Sequence, residues 1–305
     1  MRTNRGLFTL ALVWFLLGGL GAYGSNPLPA QNWNPNNLAQ IKVPKSETLT
    51  FAVLGDSRNN PIIFQQLLKQ VDRDPEIAFA IHLGDMVEVG DLEKYCDFFK
   101  QVRGNLHKPL LTVPGNHDVA NQGRRLYRNI FGQYYYSFQI NDNCFIMVND
   151  AEPPGPDDPQ LRWLEQELQK AQGCRTRLVF LHTPLFDPRG GGFHHCLPEE
   201  MGRRLAALFQ KYKVTRIFAG HIHSYFVGDW QRVPYAITAG AGAPLYGTDP
   251  EHYFFHYLKV TLKGDQVRIQ VARVAPPESG RLDRLDHRLW VSSIPASPFC
   301  GLGGG

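Results

Sequence analysis

The sequence predicts an α/β domain built on parallel strands. Short apolar runs rich in β-branched and aromatic residues alternate with stretches of helical spacing from Glu47 onward. Polar turn residues follow nearly every run. A chain of 305 residues that is 43% hydrophobic and 20% charged can fill one sizeable core.

Leu49 to Leu54 (LTFAVL) reads as the first strand. Asn60-Pro61 then starts a helix: asparagine supplies a capping oxygen, and proline fixes φ where no N–H is needed. Ile63, Phe64, Leu67, Leu68 and Val71 recur on one face of it. Ile77 to Leu83 is a second strand, Leu92 to Val102 a second helix and Leu110 to Val113 a third strand. This β-α-β-α-β order calls for crossover helices and a parallel sheet. Tyr134 to Ile140 and Cys144 to Val148 flank Asn141-Asp142-Asn143 as a hairpin. Tyr134, Tyr135 and Tyr136 alternate faces there and do not all face one site. Asp158-Pro159 opens a helix with Leu161, Leu164 and Leu168 on one side. Arg177 to Leu181 and Val214 to Ala219 are strands, and Pro198 to Tyr212 is a helix with Met201, Leu205, Leu208 and Tyr212 in register. Ser224 to Val274 reads as several antiparallel strands, with a turn at Lys263-Gly264-Asp265.

The ends of the chain differ from this body. Arg2 and Arg5 precede the uncharged apolar run Gly6–Leu20, and Ala22-Tyr23-Gly24 places small residues where a signal peptidase cuts. Residues 1–24 are expected to be a signal peptide, with an uncleaved anchor over 7–23 as the rival reading. The chain is accordingly expected to be exported, periplasmic or extracellular, with no other membrane contact. Residues 25–46, rich in Pro, Asn and Gln, read as a linker, 47–275 as the folded domain and 276–305 as a tail. Without Arg2 and Arg5 the net charge of +4 falls to +2, which argues against a nucleic-acid surface. Cys96, Cys144, Cys174, Cys196 and Cys300 show no metal-binding spacing. One or two disulfides suit an exported chain, and the odd count leaves a thiol over.

Chemistry gathers at the strand ends. Gly55-Asp56-Ser57-Arg58, Gly84-Asp85-Met86-Val87-Glu88, Gly115-Asn116-His117-Asp118, Leu181-His182-Thr183 and Gly220-His221-Ile222-His223 each follow an apolar run. Open α/β sheets place their sites at such edges. One Gly-Asp is a turn signal; five polar ends in one chain form a set. Imidazoles and carboxylates without cysteine suit Mn, Fe or Zn in a reactive rather than a structural site.

The ordered series resembles the calcineurin-like metallophosphoesterase superfamily, whose pattern runs DxH, GDxx[DN], GNH[DE], a lone His and GHxH. The resemblance implies a four-layer α/β/β/α sandwich with mixed sheets. It also implies a pair of divalent or trivalent metal ions sharing Asp85. Asn116, His182 and His221 complete one position; Asp56 and His223 belong to the other. The implied activity is hydrolysis of phosphate esters, a metal-bound hydroxide attacking phosphorus. His117 would serve the leaving group as a proton donor, and Asp118 would hold His117 in its productive tautomer.

Arg58 departs from the pattern, standing where the family has the histidine of DxH. Guanidinium stays protonated and cannot ligate a metal. Three accounts are open: water, Asn59 or Asn60 completes the position; Arg58 clamps the substrate phosphate; or the Asp56 position is weak. Glu88, where the family has Asp or Asn, reads as a loop acid. His194 and His195 lie on a glycine-rich loop that could reach the rim, and His252 and His256 read as packing residues. Two further readings are a phosphodiesterase or nucleotide hydrolase on this fold, and a binding protein with impaired catalysis. The natural substrate is not encoded in any motif.

Overall fold

Side-chain alternation along the first strand, β1 (Thr48–Leu54), sets the layering. Leu49, Phe51 and Val53 enter one apolar cluster, while Ala52 and Leu54 enter another on the opposite face. The computed structural model describes residues 28–42, 48–152, 155–190 and 194–274. In it β1, β2 (Ile77–His82) and β3 (Leu110–Thr112) are parallel neighbours in a five-stranded sheet of order β11-β10-β1-β2-β3. There β10 (His256–Lys263) runs antiparallel to β1, and β11 (Gln266–Arg273) antiparallel to β10.

A six-stranded sheet of order β4-β5-β6-β7-β9-β8 packs against the first. Its parallel centre is β5 (Asn143–Met147), β6 (Thr176–Phe180), β7 (Arg216–Ala219) and β9 (Val233–Thr238), flanked by antiparallel β4 (Tyr136–Ile140) and β8 (Tyr225–Trp230). Between the sheets Phe51, Phe79, Phe145, Phe180 and Phe218 are fully buried. The ring pairs Phe51–Phe145 (5.4 Å) and Phe51–Phe180 (6.2 Å) cross from one sheet to the other, while Phe51–Phe79 (5.3 Å) and Phe180–Phe218 (5.1 Å) stack within a sheet. Each such pair adds roughly 0.5–1.5 kcal/mol beyond area burial.

The outer face of the first sheet is covered by α2 (Pro61–Arg73) and α3 (Leu92–Asn105). As predicted, Asn60 caps α2, its Oδ1 accepting from Ile63 N at 3.2 Å, and Ile63, Phe64, Leu67, Leu68 and Val71 are buried. After β3 come the short α4 (Asn116–Val119) and α5 (Gly123–Phe131), and on the second sheet lie α6 (Asp158–Lys170), capped by Asp157, and α7 (Glu199–Lys211). Helices, sheet, sheet, helices: this is the four-layer α/β/β/α sandwich.

Three expectations change. The buried face of α7 is Gly202, Leu205, Ala206 and Phe209, with Met201 and Leu208 only half-buried. A Cβ at Gly202 would meet Leu185 O at 2.2 Å, so the helix is pressed against that backbone and the seam turns toward the glycine. Within the segment read as antiparallel, β9 runs parallel to β7, and β8 reaches the sheet edge through a hairpin whose Gln231 and Arg232 both take positive φ.

The third change concerns residues 25–46, read as a linker. Trp33–Gln40 forms a helix, α1, docked on the edge strand β3. Asn34 Oδ1 accepts from Thr112 N at 2.9 Å, Asn37 Oδ1 from Leu110 N at 3.0 Å, and Trp33 Nε1 donates to Leu110 O at 2.8 Å. The asparagines that looked like linker composition thus satisfy the open edge of a sheet, where unpaired backbone invites aggregation. The expected signal peptide or anchor (1–24) and the tail (276–305) lie outside the described residues. No helix among the described residues is long and apolar enough to cross a membrane.

Asn34→Ala should therefore cost about 1–3 kcal/mol of unfolding free energy in urea, the penalty of a buried N–H left without an acceptor. Asn36→Ala, on the exposed side of the same helix, should stay within about 0.5 kcal/mol. Equal losses would show that α1 does not seal β3.

Candidate metal centre

The parallel strands β1, β2 and β3 of one sheet and β6 and β7 of the other deliver their following loops to one place. Glycines make the approach possible. A Cβ at Gly115 would stand 2.2 Å from Asp85 N, and one at Gly220 would stand 2.6 Å from Asp56 Oδ2. Beyond the glycines the backbone is strained: Asp56 (φ 62°), Asp85 (54°), His221 (70°) and His223 (47°) all occupy the left-handed region. That conformation costs a non-glycine residue roughly 1–2 kcal/mol and concentrates at functional sites.

The strain brings a set of ligand atoms together. Asp85, His182 and His221 offer atoms that lie within 4.8 Å of one another, and so do Asp56, Asp85 and His223, the two groups sharing Asp85. His182 Nε2 stands 3.4 Å from Asp85 Oδ1, 3.0 Å from Asn116 Oδ1 and 3.1 Å from His221 Nδ1. His223 Nε2 stands 3.4 Å from Asp56 Oδ1. The far nitrogens are already engaged: His182 Nδ1 with Leu83 O at 2.8 Å and His223 Nδ1 with Pro244 O at 2.7 Å. With Nδ1 donating to a carbonyl, Nε2 turns its lone pair inward. His182 Nε2, Asn116 Oδ1 and Asp85 Oδ1 converge there. Burial opposes a charge on His182, but Asp85, Asp56 and Asp150 raise its pKa, so the pocket favours a positive charge at that place, a proton or, in its stead, a metal ion. The donor set fits metal ions.

Electrostatics agree with that chemistry. Burial alone would raise the Asp85 carboxyl, but His182, His117 and Arg58 around it hold it well below the usual carboxylate range. Burial, with the neighbouring charge of His182, pushes His221 down, to about 3, so its imidazole is neutral and can ligate.

Of the other predicted residues, His117 stands on the rim and Arg58 lies against Asp85. His117 Nε2 is 3.9 Å from Asp85 Oδ2 and its side chain is 29% exposed, open to solvent. Arg58 is buried, its Nη1 2.5 Å from Glu88 Oε2 and its Nε 3.5 Å from Asp85 Oδ2. Asn59 and Asn60 do not complete the Asp56 position: Asn59 Nδ2 donates to Glu88, and Asn60 is spent on the α2 cap.

Asp118 corrects the sequence reading. Its carboxylate does not touch His117. It is fully buried and accepts from the backbone N–H groups of Asp85 (2.8 Å), Met86 (2.9 Å), Val87 (3.3 Å) and Gly115 (2.8 Å). Burial and the adjacent Asp85 push its pKa up, to about 7, against the pull of those donors. The partner of His117 is a carbonyl instead, Glu88 O at 2.6 Å from Nδ1. Sequence gives no sign of this, because the GNHD spacing leaves open which neighbour faces the ring.

Further residues escaped the sequence reading. Asp150, buried at the end of β5, accepts from His182 N and Thr183 N at 2.9 Å each and so positions the His182 loop. His82 Nε2 pairs with Ser57 Oγ at 2.9 Å behind Asp56, and burial pushes its pKa down, to about 4. Glu88 proves to be the anchor of Arg58 rather than an idle loop acid. Tyr246, half exposed, stacks on His223 with ring centroids 4.8 Å apart. His195 lies at the rim with its ring 6.2 Å from that of His221, while His256 is buried against Thr238, a packing role.

Comparison with known proteins converges on one family. The family model described as calcineurin-like phosphoesterase matches residues 49–225, which span the five strand-end motifs. A rat protein named serine/threonine-protein phosphatase CPPED1 is 28% identical over 220 residues, covering 63% of this chain and 68% of its own length. A probable glycerophosphodiester phosphodiesterase GpdQ from Arcobacter nitrofigilis is 28% identical over 190 residues, 56% of this chain and 65% of its own. Among solved structures, the yellow lupin purple acid phosphatase PPD1 superimposes with a TM-score of 0.61 at 18% identity, over 75% of this chain. The chain spans about half of that enzyme, 52% of its length. The matched region makes up more than half of the sequence and carries both ligand groups of the shared Asp85, so the chain belongs to the calcineurin-like phosphoesterase family.

Proposed function

We propose that the protein is an exported, metal-dependent phosphoesterase acting on phosphate esters. The observation that carries this reading is the pair of ligand groups meeting at Asp85. Metal ions of the Mn, Fe or Zn type, held by Asp85, Asn116, His182 and His221 and by Asp56, Asp85 and His223, would supply positive charge for the phosphate and lower the pKa of a coordinated water. The protein's own groups do the rest. Asp85 keeps the two sets within reach of each other, Asp150 holds the His182 backbone, and Leu83 O fixes the His182 ring. His117, its Nδ1 directed at Glu88 O, presents Nε2 at the mouth of the centre, where a protonated imidazole can donate to the departing oxygen.

Export draws support from two features. One is the basic-then-apolar N-terminus ending in small residues. The other is the Cys144–Cys174 disulfide, which joins β5 to the turn before β6 and suits an oxidising compartment. The relatives named as a protein phosphatase and as a phosphodiesterase leave both monoesters and diesters as substrate classes for this chain.

Assays of p-nitrophenyl phosphate and bis-p-nitrophenyl phosphate with Mn, Zn and Fe added in turn should show metal-dependent release of nitrophenolate, lost on chelation and regained on readdition. Hydrolysis untouched by chelation would contradict the proposal.

His221→Ala should lower bound metal and abolish hydrolysis while circular dichroism stays native. Turnover near wild type at limiting metal would refute the ligand role.

In His117→Ala, metal content should stay the same and turnover fall by about 10²–10⁴-fold, the usual range for a lost proton donor. The deficit should be larger for an alkyl phosphate than for p-nitrophenyl phosphate, whose leaving group needs little protonation. Equal deficits would remove His117 from that role.

A further inference from the structure

The guanidinium of Arg58 lies against the carboxylate that the two ligand groups share. Its side chain is 8% exposed, its Nη1 is fixed by Glu88 Oε2 at 2.5 Å, and its Nε sits 3.5 Å from Asp85 Oδ2. That Nε is buried with no hydrogen-bond acceptor, a state proteins rarely leave uncompensated. The neighbours able to stand in for a missing ligand are engaged elsewhere, Asn59 on Glu88 and Asn60 on the α2 cap. The two groups are therefore unequal in what the chain gives them. One has Asp85, His182 and His221 with Asn116 Oδ1 beside them; the other has Asp56, Asp85 and His223, with Arg58 two residues along the chain from Asp56 and its guanidinium against Asp85.

Guanidinium stays charged throughout the working pH range and offers no lone pair. Placed a few ångströms from a metal position and screened from solvent, it repels a second cation and competes for Asp85 Oδ2. Glu88 offsets part of that charge, but its side chain is 46% exposed and its field is weakened by water.

We infer that Arg58 makes the two metal positions unequal. The position of Asp85, Asn116, His182 and His221 fills first. The position of Asp56, Asp85 and His223 takes its ion more weakly, by at least about tenfold. The inference rests on the metal-centre reading proposed above and adds the order of filling and its cause.

The test is direct titration of the full chain, stripped by chelator, with Mn²⁺, counting free ion by electron paramagnetic resonance and heat by calorimetry. The wild type should show two binding events separated by at least about tenfold in Kd. Arg58→His, which supplies an imidazole, should close most of that gap by tightening the weaker event alone. Arg58→Met, which removes the charge and adds no strong ligand, should tighten it by a smaller factor. Thermal melts identify folded variants, and either one that folds suffices. Equal affinities in the wild type, or a gap that a folded variant leaves unchanged, overturn the role of Arg58 while the metal-centre reading stands. A folded wild type that binds no Mn²⁺ overturns both.

Discussion

Four backbone N–H groups converge on one buried carboxylate, that of Asp118, and the rest of the centre depends on this knot. Two parallel strands end side by side at β2 and β3, and their loops would drift apart without a common acceptor. Asp118 draws together Asp85, Met86 and Val87 from one loop and Gly115 from the other. Gly115 lets the backbones touch, since any Cβ there would collide with Asp85. The result is that Asp85 is held at a left-handed φ with its carboxylate facing inward, and His117 N donates to its Oδ1 at 3.0 Å. Remove the knot and the shared ligand loses its place.

The same logic repeats around the centre. Backbone groups of the ligand loops are fixed by buried carboxylates from other loops: His221 N by Asp56, and His182 N by Asp150. Each buried acid is therefore matched by donors, as burial of charge requires. Four strained residues lie at these loops, and their cost is carried by the aromatic layer between the sheets and the two helical layers outside. A rigid scaffold with strained edges suits a site that must keep several like charges close.

Much of this was legible in the sequence because it depends on local pattern. The cap at Asn60, the parallel strands and the five polar strand ends follow from spacing and turn chemistry, and the same residues carry the family resemblance. What the sequence concealed depends on contacts between distant segments. Asp118 next to His117 suggested a partner for the ring, yet the carboxylate turns toward four amides that only the folded loops provide. Asn34 and Asn37 looked like linker residues because an asparagine sealing a sheet edge cannot be told by composition from one in a loop. Asp150 and His82 lie in no motif, and their positions become meaningful only when β5 meets the His182 loop and β2 meets Ser57. The face of α7 was misplaced because Gly202 carries no apolar side chain, although it marks the closest approach.

The central claim is that one carboxylate organises both metal positions, and Asp85→Asn tests it most directly. The exchange keeps the size of the side chain and removes the charge two cations would share. Elemental analysis of the folded variant beside the wild type, after dialysis against Mn²⁺, should find metal lost from both positions together. A folded Asp85→Asn protein that retains the wild-type stoichiometry would contradict the account.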